Sequence, residues 1–189
     1  MRAMTWWDHA TQNVWAQPWG LALMGSLVDT QLRALPVALA PWGSWRLEHQ
    51  DTLALEVSGR FAGSGGARLT ENFVVGIALA EHAKAYPFPS LAERVVVNDT
   101  IGEFPIVLHT DPETKTVKSY LRDIGGRLLT FDLAGQRMRD RETGTLWDPV
   151  RGRAVEGPLS GEVLQQVPSN SSFQWAWFDF YPNSELFEG

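Results

Sequence analysis

The sequence predicts a mostly β chain of α+β type, built from small β-sheets or barrel-like units. Each unit closes on a short C-terminal helix, and the whole is duplicated at an offset of 132 residues. Three observations carry this reading: short runs rich in Val, Ile, Thr and aromatic residues, glycine-bearing turns between them, and a gap-free internal match.

The elements are read in order along the chain. The glycine- and serine-rich stretch 58–67 breaks the pattern and reads as a flexible connection. Beyond it, FVVGIALA and HAKAYPF form a hairpin with Glu81 and His82 at its turn. PSLAER is one helical turn opened by Pro89 and Ser90. VVVNDT and FPIVLHT are strands separated by Ile101–Glu103. TVKSYLRDI and RLLTFDL flank Gly125–Gly126, a two-residue hairpin signal. QRMRDRETGTLWD turns at Glu142–Gly144. Ser172 to Tyr181 is the helix candidate, capped by Ser171 or Ser172 and ended by Pro182.

The chain of 189 residues is long enough for a sizeable core. A formal charge of −6, with basic residues scattered, leaves no nucleic-acid footprint. Arg137, Arg139 and Arg141 alternate on one strand and read as a solvated face. The longest good apolar run, Phe73–Ala80, is far too short to span a membrane as a helix. No signal peptide is visible in this reading frame, so the chain is expected to be soluble, with its compartment open. Zero cysteines exclude a disulfide scaffold and a cysteine nucleophile.

Shifted by 132, Asp8, Thr11, Trp15, Gly20, Ala22, Gly25, Leu27, Leu32, Pro36 and Trp45 fall on Asp140, Thr143, Trp147, Gly152, Ala154, Gly157, Leu159, Leu164, Pro168 and Trp177. Those ten identities lie within the forty-eight positions 8–55, where ordinary composition gives about three by chance. In the C-terminal copy the matched segment follows a long stretch of strands, 72–139; in the N-terminal copy that front half does not precede it. The expected organisation is therefore a partial unit over 1–57 (a back half only), a linker over 58–71 and a complete unit over 72–189. Upstream sequence, a second chain, or docking onto the complete unit would have to cover the partial one.

AYPFPSLAERVVVNDTIGEFPIVL, then LLTFDLAGQRMRDRETGTLWDPVRGRAVEGPLSGEVLQQVPS and the tryptophan-rich helix, resemble the bacterial domain-of-unknown-function family 3179, some of whose members are labelled selenoproteins. The resemblance spans nearly the whole chain and matches the C-terminal two-thirds of such proteins. It implies two tandem halves, and a Cys-Pro-Leu-Cys motif on the strand after Asn98-Asp99-Thr100. Here that place is taken by Leu108-His109-Thr110-Asp111-Pro112-Glu113, with no cysteine. The redox or metal chemistry that such cysteines imply has no counterpart in these residues.

Candidate sites are few. Asp140, Glu142 and Asp148 flank one hairpin as a glycosidase pair would, but the N-terminal copy keeps Asp8 and Thr11 and replaces the other acids by Ala10 and Ala16. What is shared is turn chemistry. The four histidines are scattered and no metal set forms; no cofactor is expected. His109 and Asp111 alternate on one strand and are candidate ligand-binding residues. Of nine tryptophans, Trp15, Trp45, Trp147 and Trp177 repeat and are expected in the core. Trp6, Trp7, Trp19, Trp42 and Trp175 lack tryptophan counterparts; Trp19, Trp42 and Trp175 are the ligand-binding candidates among them.

The expected function is non-catalytic: binding of a ligand or partner, or self-association, through residues 1–57. One alternative is a remnant or subunit of a redox or metal enzyme whose cysteine-bearing front half lies elsewhere. A second is a carbohydrate-binding module.

Overall fold

The structure, a computed structural model, describes residues 4–37, 42–54 and 72–189. The segment 58–71 read as a linker, and residues 1–3, 38–41 and 55–57 of the 1–57 unit, lie outside the described residues.

Among the described residues the strands form five small sheets, and none closes into a barrel. β1 (Thr5–Trp7), β2 (Val14–Ala16) and β3 (Ala22–Met24) make a three-stranded meander, followed by helix α1 (Trp42–Glu48). The C-terminal part opens with β4 (Phe73–Leu79) and β5 (His82–Pro87), whose turn is Ala80–Glu81, one residue earlier than expected. Helix α2 (Phe88–Arg94) follows, then β6 (Val96–Ile101), β7 (Phe104–Asp111) and β8 (Thr116–Leu121), paired antiparallel. The short ribbon β9 (Asp123–Ile124) and β10 (Arg127–Leu128) leads to the meander β11 (Phe131–Ala134), β12 (Arg137–Asp140), β13 (Leu146–Asp148) and β14 (Arg153–Glu156). β15 (Asn170–Phe173) returns to pair with β4, helix α3 (Gln174–Phe180) follows, and β16 (Glu185–Leu186) joins β5 in parallel.

Why β4 reads as an unbroken apolar run is now visible: both its faces are covered. Val75 and Ile77 point into a core with Tyr86, Leu91, Ile106 and Leu108, while Val74 lies with Ala85 and Trp177 under α3. β7 does the same. Ile106 and Leu108 join that first core, and Val107 joins a second one with Tyr120, Leu129, Phe131, Met138, Trp147, Ala154 and Leu164. The order through the C-terminal part is therefore α3, the β4–β5 sheet, the β6–β8 sheet, and the β11–β14 meander.

The three helices among the described residues have seven residues each, too few to persist alone in water. α3 is held by Trp177, whose ring lies where a side chain at position 76 would project. A Cβ on Gly76 would overlap that ring, so only glycine lets the helix approach. The expected helix over 172–181 begins later than read: Ser171 and Ser172 belong to β15, and the N-cap is Phe173 with no side-chain cap. Pairing with β4 in register Asn170↔Gly76 to Phe173↔Phe73 draws the two serines into the sheet.

The elements of the two copies correspond. β1, β2, β3 and α1 fall, to within one residue, on β12, β13, β14 and α3 shifted by 132. The β-bulges coincide as well, between Val14 and Trp15 and between Leu146 and Trp147. So do the isolated bridges Leu21↔Gln31 and Arg153↔Val163. Gly25 and Gly157 take φ of +106° and +111°, a conformation that suits glycine, at the same point of the turn.

Candidate functional site

The acidic candidates resolve into turns. Asp140 is fully buried; its carboxylate accepts from Thr143 N at 2.6 Å, Thr143 Oγ1 at 2.8 Å and Trp147 Nε1 at 2.9 Å. Asp8 repeats the arrangement, accepting from Ala10 N at 2.8 Å, Thr11 N at 3.0 Å, the Thr11 hydroxyl, and Trp15 Nε1 at 3.4 Å. The Thr11 hydroxyl and amide hold the Asp8 carboxyl down at about 2. Glu142 accepts from Thr130 N at 2.8 Å, and Asp148 accepts from Val150 N at 2.8 Å and Arg151 N at 3.2 Å. Each of these carboxylates is used to close a turn or tie two loops together.

Asp111 belongs to the same class. It accepts from Glu113 N at 2.9 Å, Thr114 N at 3.2 Å and Thr114 Oγ1 at 2.7 Å, closing the turn between β7 and β8. Burial pushes its carboxyl up, but the Thr114 hydroxyl and the two amides outweigh burial and hold it low. His109, two residues earlier on β7, is buried, and burial pushes its imidazole below the usual histidine value against the opposing pull of Asp111 and Asp148. The two form an electrostatic pair at the C-terminal end of β7. Among the described residues no three His, Asp or Glu side chains converge as a metal set would.

The tryptophans divide unevenly. Trp15, Trp147 and Trp177 are buried, as their repetition suggested. Trp45 is not: it is 43% exposed, while its counterpart Trp177 is 3% exposed. The local geometry is nonetheless conserved. Trp45 stacks on His49 with ring centroids 3.9 Å apart and donates to Thr52 Oγ1 at 3.0 Å; Trp177 stacks on Tyr181 at 4.2 Å and donates to Ser184 Oγ at 2.7 Å. What differs is the cover, since Trp177 lies on the β4–β5 sheet and no described sheet covers Trp45.

The same contrast recurs along the repeat. Trp6 is 53% exposed where Met138 is fully buried; Leu32 is 49% exposed where Leu164 is 2%; Leu35 is 63% exposed where Val167 is 3%. Met138 and Leu164 sit in the second core, and Val167 in the first, against residues of 72–136. On the face equivalent to that buried in the C-terminal copy, the N-terminal copy thus presents an apolar surface of the kind that marks interaction sites.

Two of the sequence candidates converge near α3. Trp19, half-buried in the turn after β2, meets Phe180 edge-on with centroids 5.1 Å apart, so the N-terminal copy touches α3. Beside it runs a cleft of about 360 Å³ between Met4, Gln17 and Pro18 on one side and Phe173, Trp175 and Tyr181 on the other. Trp175 is exposed there, its ring nearly parallel to that of Phe173 (16° between planes, 6.2 Å between centroids). Trp42, exposed on α1, does not line this cleft.

Two clusters were not read from the sequence. Lys84 on β5 reaches Asp99 on β6 at 2.9 Å and Glu185 on β16 at 3.3 Å, and the buried Tyr86 hydroxyl donates to Asp99 at 2.9 Å. Burial, reinforced by Asp99, pushes the Tyr86 phenol far above its usual range. The signal was the i, i+2 spacing of Lys84 and Tyr86 on one strand face. A polar cleft of about 480 Å³ is walled by Arg94, Asn98, Asp132 and Arg141, with Arg141 forked onto Asp132 at 2.7 Å through both Nε and Nη2. Its walls come from segments distant in sequence, which no local pattern announces.

The sequence model of a family described as Protein of unknown function (DUF3179) matches the chain over residues 2–64 and again over residues 57–188. Neither a curated protein nor a solved structure matches it.

Proposed function

We propose, for a chain that belongs to the DUF3179 family, a non-catalytic role: residues 4–54 bind a partner through the apolar surface that carries Trp6, Leu32, Leu35 and Trp45. The observation that carries this reading is the paired contrast between copies. Four positions with equivalent backbone are buried in one copy and exposed in the other. Burying an aliphatic or aromatic side chain stabilises by about 1.5–3 kcal/mol, so covering four such side chains is a substantial driving force for association. The turn carboxylates support the same reading, because each already has its hydrogen bonds and stands in a structural role. The organisation that goes with this role is a partial unit over 1–57, a linker over 58–71 and a complete unit over 72–189.

The test is light scattering and apolar-dye fluorescence on the full chain. Dye binding and concentration-dependent association are expected, both reduced by Leu32→Lys with Leu35→Lys. A chain that stays monomeric at high concentration and binds no dye contradicts the reading.

A second reading, carbohydrate binding, is favoured by one observation: the exposed, nearly parallel Phe173 and Trp175 beside an aromatic cleft. It requires that soluble oligosaccharides quench tryptophan emission and that Trp175→Ala abolishes the response.

A further inference from the structure

We infer that the open face of residues 4–54 seats a polypeptide segment built like residues 72–136, which adds an antiparallel strand to β1 and lays a glycine- and alanine-bearing sheet face on Trp45. The inference rests on the binding role proposed above and names its occupant.

The C-terminal copy displays that occupant in place, through three contacts. β11 pairs with β12 in the register Phe131↔Asp140 to Ala134↔Arg137. The Tyr120 hydroxyl donates to the carbonyls of Pro149 and Val150 at 2.9 and 2.8 Å, with its ring over Gly152. Trp177 lies on a sheet face made small by Gly76 and Ala85.

Each receiving feature exists in the N-terminal copy. β1 is the edge strand of its sheet, and the described residues give its outer side no strand. Such an edge carries unpaired N–H and C=O groups that template a further strand. Gln17 and Pro18, in the turn after β2, are the counterparts at the 132 offset of Pro149 and Val150, in the turn after β13, and Gly20 keeps φ +61°, the value at Gly152. Trp45 is braced by His49 and Thr52 as Trp177 is by Tyr181 and Ser184. Local hydrogen bonds therefore shape the receiving surface before any cover arrives. Its charge does not suit a phosphate backbone, since Asp8, Asp29 and Asp51 outnumber Arg33 and Arg46.

The repeat fixes the test. Residue 136 precedes 137 as residue 4 precedes 5, so a chain carrying an extra copy of residues 72–136 directly before Thr5 offers β1 its strand in register. The readouts are amide hydrogen exchange at Thr5–Trp7 and apolar-dye binding. Protection of those amides is expected to rise at least tenfold and dye binding to fall several-fold, whereas one glycine inserted before Thr5 cancels both changes. Should the spliced chain not fold, the peptide of residues 129–136 added to the parent chain carries the test: it is expected to protect the β1 amides, and its Leu133→Pro version is not. Unchanged exchange at β1 with a folded C-terminal unit, equal action of the two peptides, or a parent chain that already buries these amides in a dimer overturns the inference. A parent that binds no dye and does not associate sinks the broader binding role instead, so the two failures are distinguishable.

Discussion

Asp140 and Asp8 are the same residue in two settings, and the setting decides what each is worth. Asp140 is buried with Trp147 Nε1 and the Thr143 hydroxyl as its donors. Asp140→Ala strands those donors and should cost about 1–3 kcal/mol by chemical denaturation, while Asp8→Ala, at an exposed turn, should cost less. Trp147→Ala should cost about 3–5 kcal/mol and Trp45→Ala, on the surface, no more than about 0.5 kcal/mol. Sequence identity alone put all four repeated tryptophans in the core, because a repeat reports shared local structure and not shared surroundings. His109 gives a pH dependence. Its native pKa is depressed by burial, so the unfolded state takes up a proton first as pH falls below the ordinary histidine value. Its contribution is complete above that value and is lost progressively at lower pH. Denaturant midpoints should therefore fall between pH 7.5 and 5.5, with a shallower slope in His109→Gln; an unchanged slope would place the imidazole in solvent.

At the scale of elements, the hairpins of 72–148 were legible because β-branched alternation and glycine turns are local signals. The β4–β5, β6–β7 and β12–β13 turns fall within a residue or two of where those signals put them. β15 and β16 were not legible. Their strand character comes from pairing with β4 and β5 across a long sequence separation, and two serines at the foot of a helix look locally like caps. Gly76 is the element-scale counterpart of that lesson. Nothing in FVVGIALA says its glycine faces a tryptophan ring 101 positions later. Gly76→Ala should cost about 1–3 kcal/mol through forced repacking of α3, read as a lower melting temperature together with exposure of Trp177. A neutral substitution would mean that α3 does not sit on β4 as described.

The described residues carry the same meander and helix twice, over 5–48 and 137–180, the second covered by residues 72–136 and the first with no described sheet over it. The sequence made the duplication legible, since tryptophan, glycine and proline at a fixed offset rarely coincide by chance. The candidate site was legible only in part. Trp19 and Trp175 converge on α3, His109 and Asp111 serve another end of β7, and Trp6 and Trp45 gain their meaning only from the burial of Met138 and Trp177. The central claim is therefore one of solvent access at equivalent positions. The most direct measurement is ¹⁹F NMR of fluorotryptophan-labelled chain, dilute enough to be monomeric, with a dissolved paramagnetic agent and resonances assigned by single substitution. Trp6 and Trp45 should broaden strongly while Trp147 and Trp177 stay sharp. If Trp6 and Trp45 are as shielded as Trp147 and Trp177, the two copies are covered alike and the N-terminal surface is not open for a partner.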